Sequence, residues 1–110
     1  MGTSGECSFT VVQEASRATV VIRGELDAAT GPTLSRAVSV LTRDGLTDIV
    51  IDLDEVTFMD SRGLSALLES HRDAAERDMT LRVVNLQPSV AKLFHITGVD
   101  AVLLDSEAPA

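Results

Sequence analysis

The stretch that decides the fold is residues 48–64, which read Asp-Ile-Val-Ile-Asp-Leu-Asp-Glu-Val-Thr-Phe-Met-Asp-Ser-Arg-Gly-Leu. Residues 48–53 form a short apolar run of the kind found in a strand covered on both faces. From Ser61 the period changes, because leucines and alanines recur at helical spacing as far as about Arg77. We therefore predict a buried strand, then a short loop, then a helix that begins at Ser61.

Upstream of this stretch the sequence predicts a hairpin. Residues 9–13 and 18–23 are rich in Val, Ile and Thr, and residues 15–17 between them read as a short turn. Apolar residues then recur at helical spacing over residues 34–41. Asp27 or Thr30 can cap the start of that helix.

Downstream, residues 80–86 predict a further strand. A third helix begins after Pro88 and ends at Gly98, a residue that often terminates helices. Residues 102–104, Val-Leu-Leu, predict a last short strand.

Strands that alternate with helices at this spacing imply parallel pairing with right-handed crossovers. The expected fold is an α/β single domain: a mixed sheet of about five strands, with an antiparallel first pair and then parallel strands, packed with helices. We expect the domain to span residues 8–105, between a tail at 1–7 and another at 106–110.

The composition narrows the function. Nine basic and seventeen acidic residues give a net charge of −8, which repels phosphate backbones and anionic headgroups. We expect no binding to nucleic acid or to a membrane surface. The N-terminus lacks the basic start and apolar run of a signal peptide, so we expect a cytoplasmic protein. Cys7 is the only cysteine, which excludes an intrachain disulfide and a cysteine-built metal site, and no metal or cofactor is expected.

Ser61 is the residue best placed for chemistry, since sites in α/β sheets tend to lie at the carboxyl ends of strands. Free backbone N–H groups at a helix start can hold an anion such as a phosphate on Ser61. That phosphate would also add a charge of about −1.5 to −2 beside Asp60. The alternative is that Ser61 is an ordinary N-cap. Both interpretations are open at this point.

Several segments resemble one family. Gly24-Glu25-Leu26-Asp27, the segment from Asp52 to Leu64 with its Phe-Met-Asp-Ser-x-Gly-Leu core, and the later helix from Pro88 to Gly98 are similar to the signature segments of anti-sigma factor antagonists of the STAS domain family. The resemblance covers nearly the whole chain. It implies the STAS fold and a binding protein rather than an enzyme.

The resemblance also implies a mechanism and a set of site residues. Such proteins, when unphosphorylated, bind an anti-sigma factor that is a serine kinase and so release a sigma factor, and a serine phosphatase reverses the phosphorylation. By position the phosphorylated residue is Ser61. The implied partner-binding residues are Asp27, Asp60, Ser61, Arg62, Gly63 and Leu64. At Arg62 the chain departs from the family, which usually has a small hydroxyl residue there.

Two other functions fit parts of the sequence. A STAS domain can serve as a non-switching scaffold or as a regulatory module in a stress-signalling or transport complex, and it would then bind its partner regardless of phosphorylation. More remotely, the strand that ends in Asp52-x-Asp54 resembles the nucleophile segment of haloacid dehalogenase-like phosphatases. Those enzymes place this motif near the start of a longer chain.

Overall fold

The computed structural model of the chain describes residues 7–42 and 45–103. The described residues form these elements: β1 (Cys7–Glu14), β2 (Arg17–Leu26), α1 (Gly31–Leu41), β3 (Asp48–Met59), α2 (Ser61–Glu76), β4 (Thr80–Val84), α3 (Pro88–Thr97) and α4 (Asp100–Leu103). Apart from Cys7, which begins β1, the predicted tails lie outside the described residues. None of the described helices is long and apolar enough to cross a bilayer.

The strands form a mixed sheet in the order β1-β2-β3-β4. β1 and β2 pair antiparallel, and the turn between them passes through Ala15 with a φ of 54°. β2 pairs parallel with β3, and β3 pairs parallel with β4. The predicted fold class, an antiparallel first pair followed by parallel strands packed with helices, is confirmed.

One face of the sheet lines the core. Ala18, Ile49 and Leu81 lie side by side on β2, β3 and β4 and are at most 4% exposed. Apolar residues of all four helices pack into the same cluster. This one-sided core explains why every second residue of β2 from Ala18 to Ile22 is buried, as expected for a strand with one covered face.

β3 is longer than predicted, because it continues beyond residue 53 as far as Met59. Its pairing with β2 contains two register shifts, and each places one extra residue on β3. The buried residues of this part are therefore Leu53, Val56 and Met59, three apart instead of two. Bulges of this kind hide a strand from a search for strict alternation.

The predicted short strand at residues 102–104 is wrong. Val102 and Leu103 belong to α4, and Leu104 lies outside the described residues. Gly98, in the left-handed conformation with a φ of 77°, ends α3 and turns the chain. The N–H groups of Val102 and Leu103 then donate to the carbonyl of Val99, and Leu103 is fully buried. Leu103 thus completes the core from one helical turn, whereas Val102 is 48% exposed.

Candidate functional site

The candidate site lies where β2 and β3 end side by side. Glu25 pairs with Phe58 and Leu26 pairs with Met59. One residue further on, the N–H of Asp60 donates to the carbonyl of Leu26 at 3.4 Å. The chain therefore leaves both strands at the same point on the carboxyl edge of the sheet. We call the group formed there by Asp27, Asp60, Ser61 and Arg62 the rim.

Gly63 holds the two halves of the rim together. A Cβ atom at this position would lie 2.1 Å from the carbonyl oxygen of Leu26 and 3.1 Å from the side chain of Met59. Only a residue without a side chain allows the first turn of α2 to approach the end of β2 so closely. Leu64, the next residue, is 4% exposed and packs into the core. Gly63 and Leu64 thus support the rim from beneath.

Asp60 caps α2. Its backbone is extended, and its Oδ1 accepts hydrogen bonds from the N–H groups of Arg62 at 2.9 Å and Gly63 at 3.0 Å. These N–H groups are among the ones that a helix start leaves free for an anion. The carboxylate of Asp60 therefore already occupies the anion position of this helix.

This arrangement corrects the interpretation of Ser61 as an N-cap. Ser61 is the first residue inside α2, and its neighbour Asp60 is the cap. Ser61 is exposed. The expectation that the helix start would hold a phosphate on Ser61 also changes, because Asp60 accepts the N–H groups of Arg62 and Gly63. A phosphate on Ser61 would have to compete with Asp60 for these two groups.

Asp27 organises the loop between β2 and α1. Its Oδ1 accepts hydrogen bonds from the N–H groups of Ala29 at 3.0 Å and Thr30 at 3.2 Å, and its own N–H donates to the Thr30 hydroxyl at 2.9 Å. Thr30 is the N-cap of α1 by position, although its side chain caps no N–H of that helix. The two predicted capping residues thus stabilise the loop together.

Cys7 lies close to this loop. Its burial raises the pKa of the thiol, the charge of Asp27 raises it further, and a hydrogen bond with Thr30 opposes them. The thiol packs against the core. A raised pKa lowers the thiolate fraction and with it the reactivity of the cysteine, so Cys7 serves as a small packing residue.

Arg62 is exposed and lines an open groove of about 540 Å³ between α1 and α2. No ion pair involves its guanidinium within residues 7–42 and 45–103. The groove adjoins the rim and is lined by Ala28, Gly31, Pro32, Ser35, Arg36, Ser39, Arg62, Ser65, Ala66 and Glu69.

Phe58 was not predicted from the sequence as a site residue. Its side chain is 48% exposed, and it lies in β3 two positions before Asp60. The signal that could have revealed it is the three-residue spacing of Leu53, Val56 and Met59, which leaves Phe58 outside the buried set.

The Asp52-x-Asp54 segment has a structural role. Asp52 Oδ1 accepts hydrogen bonds from the N–H of Asp54 at 3.0 Å and from the amide of Asn85 at 3.2 Å. In the part of the chain that the structure describes, no three His, Cys, Asp or Glu side chains are grouped so that they could hold a metal ion.

Comparison with known proteins identifies the family. The sequence model of the STAS domain matches residues 9–108, and the chain belongs to this family. The chain is similar to the anti-sigma-B factor antagonist of Staphylococcus aureus (strain NCTC 8325 / PS 47), with 33% identity over 79 residues that cover 72% of this chain and 73% of the relative. The resemblance read from the sequence is confirmed.

Solved structures agree with this assignment. An anti-sigma factor antagonist from Mycobacterium paratuberculosis is 26% identical, with a TM-score of 0.81 over 94% of this chain and 88% of that one. The Bacillus cell fate determinant SpoIIAA in its phosphorylated form has a TM-score of 0.70 at 20% identity, over 91% of this chain and 92% of that one. At that identity the second likeness shows the fold alone.

Proposed function

We propose that this chain, when Ser61 is unphosphorylated, binds an anti-sigma factor that is a serine kinase and so releases a sigma factor in the cytoplasm. The kinase phosphorylates Ser61, which ends the association, and a serine phosphatase restores the binding form. The chain acts by binding and not by catalysis. The observation that carries the proposal is an exposed serine at the first position of α2, directly after the capping Asp60.

The geometry supports a switch based on charge. Because Asp60 takes the N–H groups of Arg62 and Gly63, a phosphate on Ser61 would add a charge of about −1.5 to −2 to a surface that already carries two carboxylates. A partner packed against the rim would meet that charge, and like charges and lost solvation would weaken the association. Arg62 is the nearest cation along the chain and can offset part of the charge.

The positions of the predicted partner-binding residues also support their proposed role. Asp27, Asp60, Ser61 and Arg62 form the contact surface. Gly63 and Leu64 take part by holding it in place, since both are buried. The similarity to an anti-sigma-B factor antagonist supports the choice of an anti-sigma factor as the partner.

Intact-mass analysis after incubation with ATP and the cognate anti-sigma kinase tests the switch. We expect one added phosphate on the wild-type chain and none on Ser61→Ala. Ser65→Ala is the matched control, because Ser65 is also exposed and lies four residues further along the same helix. It should accept the phosphate as the wild type does.

The binding arm of the experiment separates the switch from the scaffold alternative. Ser61→Ala should stay bound to the kinase in the presence of ATP, whereas the wild-type chain should dissociate as it is modified. A wild-type chain that binds the kinase equally before and after incubation with ATP, with no phosphate on Ser61, would favour the non-switching scaffold.

A further inference from the structure

The chain has three aromatic residues, all Phe, and the side chain of Phe58 is exposed. Phe94 is fully buried, and Phe9 packs partly buried against the core. Phe58, in contrast, is 48% exposed. It pairs with Glu25 at the last part of β3, next to the rim.

A bulge in β3 keeps Phe58 at the surface. Gly24 pairs with Val56, but the next residue, Glu25, pairs with Phe58, so Thr57 is an extra residue on β3. The hydroxyl of Thr57 donates to the carbonyl of Gly24 at 3.3 Å and holds this extra residue in place. Bulges next to functional sites often redirect side chains in this way.

Without the bulge the two faces would be exchanged. Val56 is buried, so strict alternation would turn the side chain of Phe58 toward the core and that of Met59 toward solvent. The structure has the opposite arrangement, since Met59 is 8% exposed and belongs to the core. The fold thus buries the more flexible methionine and presents the rigid aromatic ring.

Acidic residues outnumber basic ones in the sequence next to Phe58. Asp54 and Glu55 precede it and are exposed, and Asp60 follows it. Glu55 is paired with Arg23 at 3.1 Å, and Asp54 makes no ion pair in the described part of the chain. A partner that covers Phe58 therefore needs an apolar pocket bordered by basic side chains, because like charges at such a border would oppose association.

We infer that Phe58 is the apolar anchor of the partner interface: it inserts into a pocket of the anti-sigma factor kinase that is bordered by Lys or Arg side chains. This inference rests on the proposed function and names the residue that supplies most of the binding strength. Aromatic side chains buried at the centre of an interface dominate binding, while the surrounding contacts contribute less.

The test compares two truncations of exposed apolar side chains. Phe58→Ala should raise the dissociation constant for the kinase at least tenfold, as truncation of a dominant contact does. Val40→Ala is the matched control, because Val40 is 56% exposed near the far end of α1. It should leave the dissociation constant within about twofold, because Val40 lies outside the proposed interface and only contacts within an interface carry binding energy. Thermal unfolding of both variants checks that the fold is retained.

A second measurement uses the lack of tryptophan in this chain. Phe58→Trp should emit as an exposed tryptophan when free and shift to shorter wavelength when the kinase, with its own tryptophans replaced, is added. Val40→Trp should show no shift.

The outcomes distinguish the two proposals. If the wild-type chain binds the kinase but Phe58→Ala binds equally well and Phe58→Trp shows no shift, the anchor is wrong and the proposed function stands. If the wild-type chain binds no anti-sigma kinase, the proposed function fails and the anchor fails with it.

Discussion

Asp60 combines two roles that can be separated by substitution. Its Oδ1 caps α2, and its charge lies next to the proposed phosphorylation site. An asparagine retains the carbonyl oxygen that accepts the two N–H groups but removes the charge. An alanine removes both. Comparing the two replacements therefore shows which property a given effect depends on.

We predict that Asp60→Ala lowers the free energy of unfolding by about 1 kcal/mol, the usual effect of losing an N-cap. Asp60→Asn should lower it by only a few tenths of a kcal/mol, since Asn is as good a cap as Asp. Urea titration monitored by circular dichroism measures both values. Equal losses in the two variants would mean that the charge and not the hydrogen bonds of Asp60 stabilises the helix start.

At the scale of elements, the packing of α2 against β2 depends on Gly63. We predict that Gly63→Ala lowers the free energy of unfolding by about 1–3 kcal/mol, because the added methyl group forces the backbone of Leu26 and α2 apart. Ser65→Ala on the exposed side of the same helix should be neutral or slightly stabilising. Chemical denaturation compares them, and a Gly63→Ala variant as stable as wild type would contradict the close approach.

Asp48 joins three strands at the opposite edge of the sheet. Its carboxylate accepts a hydrogen bond from Arg17 on β2 at 2.7 Å and another from Thr80 on β4 at 2.7 Å, and its side chain is 19% exposed. Burial raises the pKa of this carboxyl group, but the hydrogen bonds from Thr80 and Arg17 and the charges of Arg17 and Arg82 lower it by more, so it lies below its ordinary value of 3.8.

This lowered pKa predicts an acid-sensitive contribution to stability. A carboxyl group whose pKa is lower in the folded state stabilises the fold above its unfolded pKa, and the contribution is lost as the pH falls through the folded value. Between about pH 7 and about pH 3, wild type should therefore lose more unfolding free energy than Asp48→Asn. Urea titrations at both pH values measure the loss. Glu76→Gln, at the exposed end of α2, is the control and should lose as much as wild type.

Features that depend on neighbouring residues in the chain were predicted correctly. The hairpin, the start of α2 and the end of α3 at Gly98 all follow from the local sequence pattern and from turn chemistry. The extension of β3 to Met59 was missed, because two bulges break its alternation and only pairing with β2 creates them. α4 was mistaken for a strand, because a short apolar pair does not indicate which element will bury it.

The site was predicted in the same uneven way. Asp27, Asp60 and Ser61 were predicted as partner-binding residues, and the pairing of Leu26 with Met59 brings their two loops together. Whether Asp60 or Ser61 caps α2 depends on a shift of one residue in the start of the helix, and hydrophobic periodicity does not resolve such a shift. The exposure of Phe58 depends on a bulge. Both errors concern single positions at the junction of β3 and α2.

For the molecule as a whole, the distribution of charge suits a binding protein. The net charge is −8. The rim carries Asp27 and Asp60 together with Arg62, and Asp54 and Glu55 are exposed earlier on β3. Such a surface attracts a basic partner over a distance of about one Debye length, roughly 8 Å at physiological salt. In the proposed mechanism, one surface thus combines attraction of the partner, an apolar anchor and a serine that is phosphorylated.

The contact between Gly63 and Leu26 has a consequence for building chimeric proteins. It makes the loop after β2 and the first turn of α2 one structural unit, although about thirty residues of chain separate them, because neither can move without the backbone of the other. To transfer partner preference between two members of this family, an engineer would have to exchange both segments at once. A graft of either segment alone would place a foreign loop against a helix start shaped for a different neighbour.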